Sequence, residues 1–259
     1  MKYNMTKTLV LLSALLAAAC GPAEVEPTSD TNIFNPRDIS SAPDFVRNSL
    51  VLVSIPLLGS ACSGTIVAPR KILTAAHCVP SNSQPSNFQI VFGDGSRRTP
   101  TALKRNSRAD IAVLTIDSIP ASSRQSPVKV HGELVGSIQP GFRVIIAGVG
   151  DTIRGRNDAG IRRWGKTVFN RFVGNYQAAS GESYSSGLFF TPDAACSGSD
   201  PACANACSGD SGGPVYQFRP NDGWGVIGVM STGNCEGPSS DQRRMTAADA
   251  RSWVNWIFN

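Results

Sequence analysis

The sequence predicts an all-β chain that ends in a short helix. Three observations lead there. Past residue 45 the chain is a succession of short apolar runs separated by turn residues. Gly 25 and Pro 17 stand against only 7% aromatics, a composition suited to many turns between short strands. Helical spacing occurs only at the carboxyl end. The 259 residues, 41% hydrophobic and 17% charged, suffice for one large domain or two small ones and exclude wholesale disorder.

The strands follow in order. Residues 50–55 (LVLVSI) open the series, then 64–67, 71–74, 88–92 (FQIVF) and 111–116. A second group covers 143–147 (RVIIA), 166–169, 187–190, 214–218 and 225–230 (GVIGVM). The segments GDG, SRRTP, PASS and GRNDAG between them carry turn residues. No repeat of solenoid length and no heptad pattern is present. Near the end, Thr246 with Asp249 three residues on has the form of a capped helix start, and Trp253, Trp256 and Ile257 then fall on one face. Many strands and one terminal helix argue for barrels or a sandwich.

The first twenty residues, MKYNMTKTLVLLSALLAAAC, place two lysines before an uncharged run from Leu9 to Ala19. That is the layout of a secretory signal over residues 1–19, and the run is too short to span a bilayer, which takes about 20 apolar residues. Residues 16–20 (LAAAC) resemble the lipobox of bacterial lipoproteins, which implies cleavage before Cys20 and a lipid on its sulfur. An ordinary signal cut nearby is the alternative. Of seven cysteines, Cys20 set apart leaves six, an even number for a disulfide framework in an oxidising compartment. Residues 20–44 are rich in Pro, Asp, Glu, Ser and Thr and read as a flexible tether or pro-segment. A lipid on Cys20 would hold the folded part at a membrane surface in the cell envelope. Otherwise the domain is secreted.

The formal charge of +5 includes Lys2 and Lys7 of the leader, so the chain from residue 20 carries only +3, and that is scattered. A nucleic-acid partner is not indicated. The arginine pairs Arg97-Arg98, Arg162-Arg163 and Arg243-Arg244 read as solvated loop charges, with protein recognition as the alternative.

Three segments carry chemistry together. His77 lies in Thr74-Ala75-Ala76-His77-Cys78, Asp110 begins DIAVL, and Ser211 sits in the glycine-dense CSGDSGGP. A serine hydroxyl is a poor nucleophile at neutral pH unless a base takes its proton as it attacks. An imidazole, with a pKa near 6.5, can accept that proton and return it to a leaving group. A carboxylate can hold the imidazole in the required tautomer. Asp94 and Asp117 are rivals for Asp110. The other histidine, His131, has no partner motif and reads as structural.

In this order and with these motifs, the chain resembles the trypsin/chymotrypsin family of serine endopeptidases over residues 45–259. Cys62-Ser63-Gly64, Gly148-Val149-Gly150 and Gly228-Val229-Met230-Ser231 support the resemblance. It implies two six-stranded antiparallel Greek-key barrels, residues 45–135 and 136–259, the second followed by the C-terminal helix, with the active site between them. It assigns His77, Asp110 and Ser211 to catalysis and the N–H groups of Gly209 and Ser211 to an oxyanion hole. It pairs Cys62 with Cys78 and Cys207 with Cys235, which leaves Cys196 with Cys203. It places Asn205 at the floor of the specificity pocket and Ser231 and Gly233 on its wall. A neutral floor and an open wall point to a neutral residue before the scissile bond, while Asp241 and Arg243 are hard to align. The resemblance also implies a buried Asp210 that pairs with an amino terminus freed by cleavage. The usual Ile-Val-Gly-Gly partner is missing, with Ile33 and Ile39 opening weak substitutes. No cofactor or metal is implied, since HExxH, CxxC and phosphate-loop patterns are absent. A monomer acting on protein or peptide substrates is expected. The competing class is an inactive binding protein on the same fold.

Overall fold

Strand propensity and alternation set the first sheet. The computed structural model describes residues 37–134, 138–151, 158–193, 204–234 and 244–259. Its opening elements are β1 (Arg37–Asp38), helix α1 (Asp44–Ser49), β2 (Leu50–Ile55), β3 (Ser60–Ala68), β4 (Lys71–Thr74), β5 (Gln89–Val91), β6 (Arg97–Arg98), β7 (Ala102–Arg105) and β8 (Ala112–Thr115). Strands β2 to β8 form one antiparallel sheet in the order β6-β5-β2-β3-β4-β8-β7. Its residues Ile66, Ile72, Leu73, Ile90 and Leu114 are fully buried. Burying such a side chain contributes about 1.5–3 kcal/mol.

The second sheet contains β9 (Arg143–Gly148), β10 (Arg163–Gln177), β11 (Ser183–Thr191), β12 (Pro214–Arg219), β13 (Gly223–Asn234) and β14 (Arg244–Asp249). Their order is β10-β11-β14-β13-β12-β9, and β9 pairs again with β10, so these six strands close a ring. Closure leaves no long exposed edge. Its core gathers Val144, Ile146, Phe169, Phe190, Val215 and Ile227. Each sheet therefore holds six longer strands plus one two-residue strand, β6 in the first and β1 in the second. This is the double-barrel architecture that the resemblance implies.

Several elements depart from the sequence reading. The chain is already ordered within the expected tether: β1 pairs with β10, and Trp164 Nε1 donates to Ser41 Oγ at 3.1 Å. Residues 1–36 lie outside the described residues, as do Cys20 and the proposed signal. Helix α1 was not anticipated. Only Val46 and Ser49 of it are buried, so it carries little apolar periodicity to read. The capped helix expected at Thr246 is instead β14, paired on both sides, because ladder bonds to β11 and β13 outweigh the local capping pattern. The terminal helix α2 is confined to Val254–Phe258.

That helix follows the second barrel in sequence but packs on the first. Lys71 Nζ donates to the Ile257 carbonyl at 3.1 Å, Lys104 Nζ donates to the Trp256 carbonyl at 2.6 Å, and Ile257 joins the core of the first sheet. The hairpin of β10 and β11 makes the reverse crossing. At its tip, Tyr176, Ala178 and Tyr184 pack on Ala76 beside His77. Both strands are much longer than the expected 166–169 and 187–190. Residues 171–177 are exposed or half-buried throughout, so no apolar alternation marks them.

Candidate active site

Strand register brings the histidine to the aspartate. Strand β4 pairs antiparallel with β8, Thr74 opposite Ala112. The chain leaving β4 therefore runs beside the chain entering β8, and His77, in a single 3-10 turn, meets Asp110. The His77 backbone N–H donates to Asp110 Oδ1 at 2.8 Å, and Nδ1 lies 2.7 Å from Oδ2. Ser231 Oγ adds a short hydrogen bond to Oδ2. A carboxylate only accepts, so Nδ1 carries the proton and Nε2 of a neutral ring keeps its lone pair. The Asp110 side chain is 0% exposed and that of His77 8%. The two rivals stay outside: Asp94 binds Ser96 within its own exposed turn, and Asp117 is exposed. A disulfide joins Cys62 to Cys78 and clamps the histidine turn to β3. Closing a loop of this size contributes about 3 kcal/mol in the chain-entropy model.

The serine loop docks on the same strand β3 through Ser63. The Ser63 N–H donates to the Ser211 carbonyl at 2.8 Å, its Oγ donates to the Gly209 carbonyl at 3.0 Å, and that same Oγ accepts the Val149 N–H at 2.9 Å. Cys78 Sγ lies 3.9 Å from His77 Nε2 and 3.8 Å from the Ser211 carbonyl oxygen, so imidazole and serine backbone both touch one atom. Ser211 Oγ itself makes no hydrogen bond to the ring. Such bonds are often long before substrate arrives.

Two backbone donors are left over. The Ser208 carbonyl is held by the Asp151 N–H at 2.7 Å and the Asp210 carbonyl by the Gly213 N–H at 2.9 Å. In a trans peptide the N–H points opposite to the carbonyl. The N–H groups of Gly209 and Ser211 are thus turned away from those partners, and neither has an acceptor among the described residues. Gly209 adopts φ +90°, and a Cβ there would stand 2.8 Å from Gly150 Cα.

A family model described as Trypsin matches residues 44–257, most of the chain. The chain belongs to the trypsin family. It is similar to human "Transmembrane protease serine 11A", 29% identical over 192 residues, which is 67% of this chain and 44% of that protein. It is also similar to mouse "Transmembrane protease serine 11E", 25% identical over 74% of this chain and 48% of the relative, and to mouse "Transmembrane protease serine 11C", 25% over 74% and 47%. The chain thus spans about half the length of these relatives. Among the described residues, no helix is long and apolar enough to cross a membrane.

Within this trypsin-family domain Asp210 is buried behind the serine. Oδ1 accepts the Gly150 N–H at 2.8 Å and Oδ2 the Cys207 N–H at 2.9 Å. It makes no ion pair among the described residues. Burial pushes its pKa from 3.8 up to about 7, against the pull of those two N–H groups and the charge of Arg163. Glycine at 150 permits this packing, since a Cβ would stand 2.5 Å from the Ser208 carbonyl. The carboxyl is harder to ionise folded than unfolded. Its contribution to stability is therefore full below about pH 4 and is lost as the pH rises to about 7, a change of about 4 kcal/mol. Denaturant midpoints of wild type and Asp210→Asn at about pH 4.5 and about pH 7.5 check this. The wild type should lose stability relative to the variant across that interval, and a constant difference overturns the expectation.

The residues expected at the pocket have other contacts as well. Asn205 is buried, but its amide is committed to backbone: Nδ2 donates to the Asn234 carbonyl at 2.7 Å and Oδ1 accepts the Ala206 N–H at 2.9 Å. The Ser231 hydroxyl donates to Asp110. At Gly233 a Cβ would stand 2.3 Å from the Ala206 carbonyl. The missing side chain there lets two backbone segments touch, where an open wall was expected. Cys207 is disulfide-bonded. Cys235, Cys196, Cys203, Asp241 and Arg243 lie outside the described residues.

Sequence reasoning missed the residues that cover Asp110 from the hairpin side. Arg105, on β7, donates to the Ala76 carbonyl at 3.2 Å, to Tyr184 Oη at 2.7 Å and to Glu182. Burial, and next the charge of Asp110, raise the pKa of both Tyr176 and Tyr184. No local signal marks these residues. His131 lies elsewhere, buried at the linker with Nε2 3.2 Å from the Gln217 carbonyl.

Proposed function

We propose that this chain is a serine endopeptidase that hydrolyses peptide bonds through an acyl-enzyme on Ser211. The observation that carries the reading is the 2.7 Å contact between His77 Nδ1 and the buried Asp110 carboxylate, which leaves Nε2 as a base beside the serine loop. Ser211 Oγ attacks the scissile carbonyl as Nε2 takes its proton, and Asp110 stabilises the imidazolium. The N–H groups of Gly209 and Ser211 receive the oxyanion, and removal of one such donor typically costs about 2.7–4 kcal/mol of transition-state stabilisation. His77 then returns the proton to the leaving amine as the C–N bond breaks. A water molecule, deprotonated by His77, attacks the ester, and the acid departs as Ser211 regains its proton. The groups of this chain account for every proton in the cycle.

Membership of a family that includes proteins named as serine proteases supports this reading. Labelling with a serine-reactive fluorophosphonate tests it. Wild type should label at Ser211 and Ser211→Ala should not. An intact, folded wild type that fails to label and cuts no peptide belongs instead to the class of inactive binding proteins.

The leader and the six remaining cysteines support export, with a lipid on Cys20 as anchor. The neutral Asn205 supports a neutral residue before the scissile bond, and a peptide library cut mainly after Lys or Arg would overturn that. Asp210 is assigned to receive an amino terminus freed by cleavage, or an atypical partner in its place. Mass spectrometry of the active form decides, since full activity with a start at Cys20 rules release out.

A further inference from the structure

Beyond the pocket wall the second barrel presents a row of residues that the mechanism does not use. Register sets Arg171 opposite Phe189, Phe189 opposite Thr246, and Thr246 opposite Thr232. Directly opposed residues share a face. Arg244, two residues before Thr246, lies on that face as well and pairs with Asn234. These side chains line a cavity of about 340 Å³ that reaches Thr232 and Gly233. A neighbouring cavity of about 760 Å³ shares Arg171, Phe189 and Arg244 and adds Arg143.

The charge in this groove is unbalanced. Arg143 is paired with Asp193. Arg171 and Arg244 are exposed and have no carboxylate partner among the described residues. The Arg171 guanidinium instead lies over the Phe189 ring, 4.1 Å from its centroid. That stacking fixes the group while leaving its in-plane donors open, the geometry suited to a carboxylate.

The groove also adjoins an open strand edge. Strand β12 pairs with β13 only as far as Val229, so among the described residues Thr232 and Gly233 have a ladder partner on the β14 side alone, while the Asn234 carbonyl also accepts from Asn205 Nδ2. An extended peptide can add to such an edge. Antiparallel to β13, with its scissile bond near Ser211, it would carry its amino-terminal residues past Gly233 and over this row.

We propose that Arg171 and Arg244 form a carboxylate-binding subsite that selects substrates with acidic residues a few positions upstream of the cleaved bond. The proposal rests on the endopeptidase reading above and specifies its substrate class. A mixed Arg171–carboxylate contact, charge-assisted and partly stacked, favours the acidic ligand by about tenfold.

The test uses the full chain and paired fluorogenic peptides that differ only in Asp/Glu against Asn/Gln at the upstream positions. Wild type should cut the acidic member with kcat/KM about tenfold higher, and the ratio should shrink in high salt. In R171Q/R244Q the ratio should fall towards one. In R171E it should reverse in favour of a lysine peptide. A ratio of one in wild type, or an R171E variant that keeps its acidic preference, overturns the proposal. The same labelled peptides titrated onto Ser211→Ala by fluorescence anisotropy separate the two readings. Tighter binding of the acidic peptide supports the subsite even where cleavage fails, and equal affinities overturn it even where cleavage succeeds.

Discussion

Ser211→Ala and His77→Ala should each lower kcat for peptide hydrolysis by about 10⁶-fold, and the double variant should lose little more. The reason is that the two groups act as one device. Without the hydroxyl no acyl-enzyme forms. Without the imidazole the hydroxyl keeps its proton. A residual rate of about 10³–10⁴ over water should survive in either, because the Gly209 and Ser211 N–H groups are held by the Ser208 and Asp210 carbonyl bonds rather than by the reacting side chains. Single-turnover kinetics on one peptide, with thermal melting to confirm folding, measures all three variants. Multiplicative losses in the double variant would show two independent groups and defeat the proposed cycle.

Asp110→Asn should lower kcat by about 10⁴-fold while KM changes little. Its carboxylate accepts from the His77 N–H, from His77 Nδ1 and from Ser231 Oγ. An amide at this position can accept at only one of its two ends. Either the ring turns to the tautomer with Nε2 protonated, or a buried donor is left facing another donor. In the first case the base beside Ser211 is lost, and in the second the ring loses the hydrogen bond that orients it and the carboxylate that stabilises its imidazolium. Steady-state kinetics of the variant against the same peptide provides the measurement. A variant with more than about a tenth of wild-type kcat would remove Asp110 from the mechanism.

The groups placed in that cycle were legible in sequence because their motifs are local. TAAHC and CSGDSGGP each confine a reactive side chain, its turn and its glycines to a few consecutive residues, so neighbours alone reveal them. Asp110 was less distinct, since Asp94 and Asp117 stand in comparable settings, and strand register decided between them. Strands β2, β3, β4, β5 and β8 of the first sheet were likewise readable as short apolar runs between turns, whereas β6, inside a segment read as a turn, and the largely polar β7 were not. The hairpin of β10 and β11 was not. Its outer half touches solvent on both faces and carries no periodic signal, yet its tip brings Tyr176 and Tyr184 against the first barrel. β14 read as a helix start because a capping pattern of four residues cannot register two flanking strands that are distant in the chain.

Taken by itself, the sequence determined the chemical inventory: an imidazole, a carboxylate and a serine hydroxyl in an all-β chain with an even set of cysteines after Cys20. The tertiary structure alone decided which acid meets His77, that Gly233 closes against Ala206, and that Arg171 and Arg244 face one groove with no carboxylate partner among the described residues. The physical reason is range. Propensity and turn chemistry act over a few residues, whereas burial and charge pairing depend on which distant segments displace water from one another.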